Sequence, residues 1–153
     1  MSDTTGTSSW SAATLASLRS KGHRDGGARR AVIELLGRQH CCLTAQEIFD
    51  RLRREGGRVG IASVYRSLGQ LARDGFVQRI DIGAGTTRFE PVQMDGHHHH
   101  HVVCDDCGKV EAFADDGLER ALRRVEAGSD YSIANHEVVL RGACRDCSPA
   151  PTA

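Results

Sequence analysis

Two Cys-x-x-Cys pairs constrain the C-terminal half of this chain more than any other feature of its sequence. Cys104 and Cys107 form one pair, Cys144 and Cys147 form the other, and 36 residues separate the pairs. Each pair can direct two thiolates to one ion, and four thiolates complete the tetrahedral shell of a structural zinc site. So short a segment buries too little apolar surface to be stable alone, so we predict that zinc or a dimer partner stabilises it.

Redox-active disulfides are the alternative use of these four cysteines, since zinc-bound thiolates can also be oxidised. The N-terminal segment MSDTTGTSSW lacks the basic and apolar regions of a secretory signal. No stretch approaches the roughly 20 apolar residues that a membrane span needs. We therefore expect a cytoplasmic protein with no membrane partner, where reducing conditions favour metal sites over structural disulfides.

Five consecutive histidines precede the first cysteine pair. A purification tag is one explanation, but tags usually have six histidines at a terminus, whereas this run is internal. Neighbouring side chains of a strand point to opposite faces, so one strand could supply two metal sites. One face would carry His98 and His100. The opposite face would carry His97, His99 and His101. Glu119 and His136 are the other candidate ligands in this half of the chain.

The charges are distributed unevenly along the chain, although the formal net charge is zero. Residues 1–80 contain 13 Lys/Arg and 7 Asp/Glu, whereas residues 81–153 contain 7 Lys/Arg and 13 Asp/Glu. The basic half is suited to a polyanion such as DNA, and the acidic half to a metal or a protein partner.

Hydrophobic periodicity predicts helices in the basic half over residues 11–21, 28–37, 45–55 and 61–76. Thr44 and Glu47 form a capping-box signature for the third helix. Two strand-like runs, 76–82 and 86–92, flank the sequence GAG as in a β-hairpin. This order of helices and strands is typical of a winged helix-turn-helix. At the N-terminus, we expect the Ser/Thr-rich residues 1–9 to be frayed.

The acidic half shows an α+β pattern. We predict strands near 98–103 and 109–113, a helix over 115–127 and a strand over 132–142. The predicted fold class is therefore α+β, with a winged-helix domain over 1–91, a hinge over 92–96 and a small α/β domain over 97–153.

Two segments carry a resemblance to a known family: VGIASVYRSLGQLARDGFVQR and HHHHHVVCDDCGKVEAF. The first resembles the recognition helix and wing, and the second the metal-site signature, of the ferric uptake regulator (Fur) family of bacterial metal-dependent repressors. The resemblance covers nearly the whole chain. It implies a DNA-binding domain followed by a dimerisation domain, and a homodimer that binds a palindromic double-stranded DNA operator.

The resemblance also implies three metal sites. The structural zinc site would use Cys104, Cys107, Cys144 and Cys147. A second site in the dimerisation domain would use His98, His100, Glu119 and His136. A regulatory site at the hinge would use Cys42, Glu90, His99 and His101.

Cys42 stands where the family usually has a histidine. A thiolate is a softer ligand than an imidazole, so this departure favours zinc over iron or manganese. Alternatively, Cys41 and Cys42 are merely small buried residues, and the sequence leaves open which of the two is a ligand.

The same resemblance implies contacts with DNA. Candidates on the recognition helix are Ser63, Tyr65 and Arg66, although Tyr65 could instead pack half-buried. Candidates for phosphate contacts are Lys21, Arg24, Arg29 and Arg79, which would contribute affinity rather than sequence specificity. The segment before the second helix keeps Arg29 but lacks the Thr and Pro that the family usually has there.

We therefore expect a zinc-sensing repressor of metal-uptake genes that is not an enzyme, with Zn²⁺ as structural ion and effector. Iron-responsive regulation, with Fe²⁺ as effector, and peroxide sensing are the alternatives within the family. A zinc hydrolase would need a motif such as H-E-x-x-H, which the sequence lacks. A metal buffer would leave the basic half unexplained.

Overall fold

The structure is a computed structural model that describes residues 5–24, 26–83, 85–93 and 99–148. The chain divides into two compact units, Met1–His97 and His98–Ala153. The first unit contains helices α1 (Thr5–Ser20), α2 (Gly27–Gly37), α3 (Ala45–Arg54) and α4 (Ile61–Arg73), and strands β1 (Leu43–Thr44), β2 (Val77–Asp81) and β3 (Thr87–Pro91).

The core of the first unit forms where the apolar faces of its helices meet. Its most deeply buried side chains come from α2, α3 and α4, and they recur at the helical spacing that the sequence predicts. They are Val32, Ile33, Leu35, Leu36, Ile48, Val64, Leu68 and Leu71. Each such side chain contributes about 1.5–3 kcal/mol, so this unit has a substantial core of its own.

The start of α3 has the capping box that the sequence predicts. The amide of Glu47 donates to Thr44 Oγ1 at 3.0 Å, and the amide of Thr44 donates to Glu47 Oε2 at 2.8 Å. Arg88 on β3 donates to the same Glu47 oxygen at 3.0 Å. The cap therefore also ties α3 to the sheet.

The wing is a three-stranded sheet with strand order β1-β3-β2, in which both neighbouring pairs are antiparallel. The hairpin of β2 and β3 agrees with the sequence, but β1 was not predicted. Two residues are too few to show periodicity, and β1 is a strand only because Leu43 pairs with Phe89. This pairing brings the segment before α3 alongside the central strand.

The first helix corrects the sequence-based expectation. It begins at Thr5 instead of Ser11, so the predicted start of this helix is wrong. Residues 1–4, part of the segment that we expect to be frayed, lie outside the described residues. Trp10, Thr14 and Leu18 are buried. They follow one another at intervals of four residues, so they lie on the same face of the helix. Packing of this face stabilises the helix beyond what its local Ser/Thr-rich sequence indicates.

The second unit contains strands β4 (His100–Cys104), β5 (Val110–Phe113) and β6 (Val139–Gly142), and helix α5 (Asp116–Ala127). Central strand β4 pairs antiparallel with β5 and parallel with β6. The predicted strand over 132–142 is too long, because pairing with β4 begins only at Val139, opposite His101.

Apolar burial in the second unit is slight. Among its described residues, only Val103 and Cys104 are buried apolar side chains, and no residue of α5 is buried. Larger apolar side chains are exposed instead, including Val125, Tyr131 and Leu140. The stability of the second unit therefore requires a contribution beyond the burial of its own apolar side chains. Within the described part of the chain, none of the helices has the length and apolar character needed to cross a membrane.

Candidate metal centres

The four-cysteine cluster lies at one end of the second unit's sheet. Cys104 is the last residue of β4, and parallel pairing places it opposite Gly142, two residues before Cys144. The strands thus bring the two Cys-x-x-Cys turns together, and the four Sγ atoms lie within 4.8 Å of one another. All six cysteines of the chain are free thiols, so the cluster is not a pair of disulfides.

The spacing of the sulfurs fits a tetrahedral ion. Four sulfurs at about 2.3 Å from one zinc ion would be about 3.8 Å apart. Cys107 Sγ and Cys144 Sγ are 3.8 Å apart. The donor set and the geometry are therefore consistent with a structural zinc site.

Backbone amides favour the thiolate form of Cys104. The amide of Cys144 donates to Cys104 Sγ at 3.2 Å. Hydrogen bonds from the amides of Cys144 and Cys107 lower the pKa of Cys104 from 9.0 to about 6. Hydrogen bonds with the neighbouring Cys107 and Cys144 side chains instead raise the pKa of Cys147, because they favour its neutral thiol form.

A second cluster in the same unit joins β4, α5 and the segment before β6. His100 Nε2 lies 2.7 Å from Glu119 Oε1, and His136 Nε2 lies 3.3 Å from Glu119 Oε2. The donor atoms of these three residues all lie within 4.8 Å of one another. His98, which we predicted as the fourth ligand, lies outside the described residues. The structure thus brings together three of the four predicted side chains.

Glu126 is a neighbour of this cluster that the sequence reasoning missed. Its Oε1 lies 2.8 Å from His136 Nδ1. Glu126 follows Glu119 by seven residues on α5, so two helical turns place both carboxylates on the same face. That spacing is the signal that would have identified Glu126, which orients the imidazole of His136 from the opposite ring nitrogen.

The residues predicted for the regulatory site are divided between the two units. In the first, Leu43 pairs with Phe89, so Cys42 falls opposite Glu90. Glu90 Oε1 accepts a hydrogen bond from Gln78 Nε2 at 2.5 Å. In the second, the rings of His99 and His101 are 5.1 Å apart, as expected for alternate residues of an extended chain.

Cys42 is nearly inaccessible to solvent, with an exposed fraction of 2%. A hydrogen bond with Cys41, burial and the Glu90 carboxylate all raise the pKa of its thiol. The structure therefore agrees with the expectation of a buried small residue, but it also places this residue beside a carboxylate that could share an ion with it.

The predicted DNA contacts lie on exposed parts of the first unit. Tyr65 projects from α4 with an exposed fraction of 57%, so it does not pack half-buried. Arg66 Nη2 donates to Ser63 Oγ at 2.9 Å on the same exposed face. A groove of about 460 Å³ separates α4 from the wing, and both Tyr65 and Arg79 line it.

The other basic candidates make local contacts. Lys21 Nζ lies 3.9 Å from Asp74 Oδ1 and 5.2 Å from the centre of the Phe76 ring. Arg29 Nη1 donates to the carbonyl oxygen of Arg24 at 3.2 Å. These contacts involve exposed or half-exposed side chains and leave charge at the surface.

Comparison with known proteins gives consistent results. A sequence profile of the ferric uptake regulator family matches residues 20–141. The ferric uptake regulation protein of Escherichia coli strain K12 is 38% identical over 104 residues, which cover 68% of this chain and 69% of that protein. The peroxide-responsive repressor PerR of Staphylococcus saprophyticus is 28% identical over 134 residues, which cover 88% of each chain.

A solved structure supports the same relationship. The crystal structure of the Vibrio cholerae ferric uptake regulator matches with a TM-score of 0.74 and 32% sequence identity. The match covers 86% of this chain and 99% of that chain. The α+β fold class predicted from the sequence is therefore confirmed.

Proposed function

Because the chain belongs to the ferric uptake regulator family, we propose that it is a zinc-responsive transcriptional repressor of metal-uptake genes. Family membership makes it a metal-responsive regulator and not an enzyme. The choice of zinc rests on one observation: Cys42 directly precedes β1, and the register of β1 with β3 puts its backbone across from that of Glu90.

The proposed regulatory site combines Cys42 and Glu90 with His99 and His101. A thiolate, a carboxylate and two imidazoles are all ligands that tetrahedral zinc accepts. The thiolate makes the set softer than one of oxygen and nitrogen ligands alone, and this disfavours manganese and ferrous iron. Iron remains the second candidate, because the E. coli relative is named for ferric uptake.

We assign a different role to each of the other clusters. Cys104, Cys107, Cys144 and Cys147 would hold a permanent structural zinc ion. His98, His100, Glu119 and His136 would form a second site, in which Glu119 bridges the two histidines that the structure describes. Bound zinc supplies a fixed positive charge that holds its ligands at set distances.

The proposed domain organisation follows from these roles. A winged-helix domain over 1–91 would bind DNA, a hinge over 92–96 would allow it to move, and a domain over 97–153 would form a cytoplasmic homodimer. Closure of the ligands around the ion would set the angle of each winged helix. Two recognition helices could then enter successive major grooves of a palindromic operator.

On each winged helix, the exposed face of α4 would meet base edges through Ser63, Tyr65 and Arg66. Lys21, Arg24, Arg29 and Arg79 would contact phosphates, which gives affinity without sequence specificity. The ion would act as an effector only if its ligands bind it more tightly in the arrangement that fits DNA.

The test is a titration of the partly demetallated protein with zinc, ferrous iron or manganese while its binding to its own promoter DNA is measured. We expect zinc to activate at the lowest free concentration. Glu90→Gln should abolish zinc activation, whereas Glu34→Gln on the exposed face of α2 should preserve it. DNA binding that is independent of metal at constant salt would contradict a sensor role, and activation by iron at a far lower concentration would favour an iron regulator.

A further inference from the structure

We propose that Cys41 and Cys42 bind one thiophilic metal ion together, as a bidentate dithiolate. This proposal deepens the regulatory site described above and rests on it for the function of the ion. The chelate itself depends only on the geometry of the first unit. It extends the proposed ligand set from one thiolate to two.

The distance between the two sulfurs supports the chelate. Cys41 Sγ and Cys42 Sγ are 3.9 Å apart. Two ligands of one tetrahedral zinc ion would be about 3.8 Å apart. Cys107 Sγ and Cys144 Sγ in the four-cysteine cluster show nearly the same separation, 3.8 Å. The adjacent pair therefore has the spacing of two ligands before any ion is bound.

A disulfide is a poorer use of the same pair. The peptide bonds of the described residues are all trans, and Cα atoms joined by a trans peptide are about 3.8 Å apart. Disulfides usually join Cα atoms about 4.4–6.8 Å apart, so a bond between adjacent residues would be strained and easily reduced. The geometry favours an ion between the sulfurs over a bond between them.

The loop that carries the two cysteines is held at both ends. At one end, Arg51 Nη1 donates to Gln39 Oε1, which attaches the residues after α2 to helix α3. At the other, Arg88 Nη1 donates to the carbonyl oxygen of Cys42 at 3.4 Å. Arg88 is itself attached to the α3 cap through Glu47. The dithiol is therefore pre-positioned, which reduces the cost of ordering it around an ion.

The two thiols are shielded from solvent to different degrees. Cys42 is buried and Cys41 is half-buried. The thiolate is the form that binds an ion, so metal binding displaces the thiol protons into solvent. Two thiolates select zinc, cadmium or cuprous ions over ferrous iron and manganese more strongly than one thiolate does.

Cobalt(II) is a suitable probe, because each thiolate that binds it contributes to a charge-transfer band in the near ultraviolet. The full-length protein, with one zinc ion retained per chain, is stripped of weaker metal by a mild chelator and titrated with cobalt. Retention of that zinc is checked at the end point. We expect Cys41→Ser and Cys42→Ser each to remove about half of the band and to weaken cobalt binding by about tenfold or more.

His40→Ser is the matched control. His40 is exposed beside Cys41 and carries no sulfur, so its replacement should leave the amplitude of the band unchanged. A full band in Cys41→Ser would overturn the chelate but leave a Cys42 regulatory site intact. A full band in both cysteine variants would remove both residues from the site. Circular dichroism and zinc content identify any variant that misfolds, and alkylation with protection by cobalt then reports the same two thiols in the native protein.

Discussion

Removal of the metal from the four-cysteine cluster should unfold the second unit and leave the first unit folded. The reason is the contrast between the two cores. The described part of the second unit buries one aliphatic side chain, Val103, whereas α2, α3 and α4 bury a continuous set of them. We therefore expect Cys144→Ser, or chelation under reducing conditions, to act on β4, β5, β6 and α5 selectively.

The expected loss of stability in the second unit follows from the same contrast between the two cores. Burial of one Val side chain contributes about 1.5–3 kcal/mol. A structural zinc ion contributes about 10–16 kcal/mol of apparent binding free energy in small zinc-dependent folds. Whole domains are stable by only about 5–15 kcal/mol, so loss of the ion exceeds what the remaining contacts can offset.

Amide hydrogen exchange measured by mass spectrometry distinguishes the two units in one experiment. Peptides from β4 to β6 should lose protection when the ion is removed, and peptides from α2 and α4 should keep it. Glu34→Gln is the matched control, since it changes an exposed side chain of the other unit that has no proposed role in metal binding. Equal protection of β4 to β6 with and without metal, with all thiols reduced, would refute the reasoning.

Further predictions concern the second cluster, the α3 cap, the DNA-binding face and acid stability. Glu119→Gln should weaken the binding of an ion to the second cluster by about tenfold or more in isothermal titration calorimetry, because Glu119 contacts both His100 and His136. An unchanged affinity would show that Glu119 is not a ligand of that ion. Thr44→Ala should lower the free energy of unfolding by about 0.5–2 kcal/mol in urea, since it removes the cap of α3, and a loss below this range would mean that Arg88 holds Glu47 without it. Arg66→Ala should weaken operator binding by about 1–3 kcal/mol and relax specificity if it contacts a base; a uniform loss across sequences with a smaller salt slope would indicate a phosphate contact instead. The hydrogen bond from Gln70 lowers the pKa of Asp74 below 3.8, so its contribution to stability is present above that pH and is lost as the pH falls below it; Asp74→Asn should remove this dependence, as measured by urea unfolding between pH 2 and pH 5.

Local sequence patterns were sufficient for most of the first unit. The spacing of Leu68 and Leu71 on α4, and the Thr44 to Glu47 cap, depend on residues within one or two helical turns of each other. Such patterns depend on the geometry of a single helix, so they can be identified without knowledge of the surface against which the helix packs. The start of α1 was wrong because Trp10 stabilises it by packing against another helix.

For the candidate metal clusters, the sequence indicated the ligands but not which of them lie close together. The types of ligand and their spacing were evident, because a Cys-x-x-Cys turn places two thiols near one point whatever surrounds it. The proximity of Cys104 to Cys144 required β4 and β6 to pair in parallel. The role of Glu126 required α5 to turn one face towards His136.

The sequence by itself determined the class of the protein, the periodic helices and wing, and the residues able to bind metal, because these follow from local spacing and side-chain chemistry. Only the tertiary structure decided that Cys42 lies opposite Glu90, since the two-residue strand that follows Cys42 and pairs with β3 has no pattern of its own. Pairing between segments more than 40 residues apart depends on the free energy of the whole sheet, and no local window of sequence contains that information.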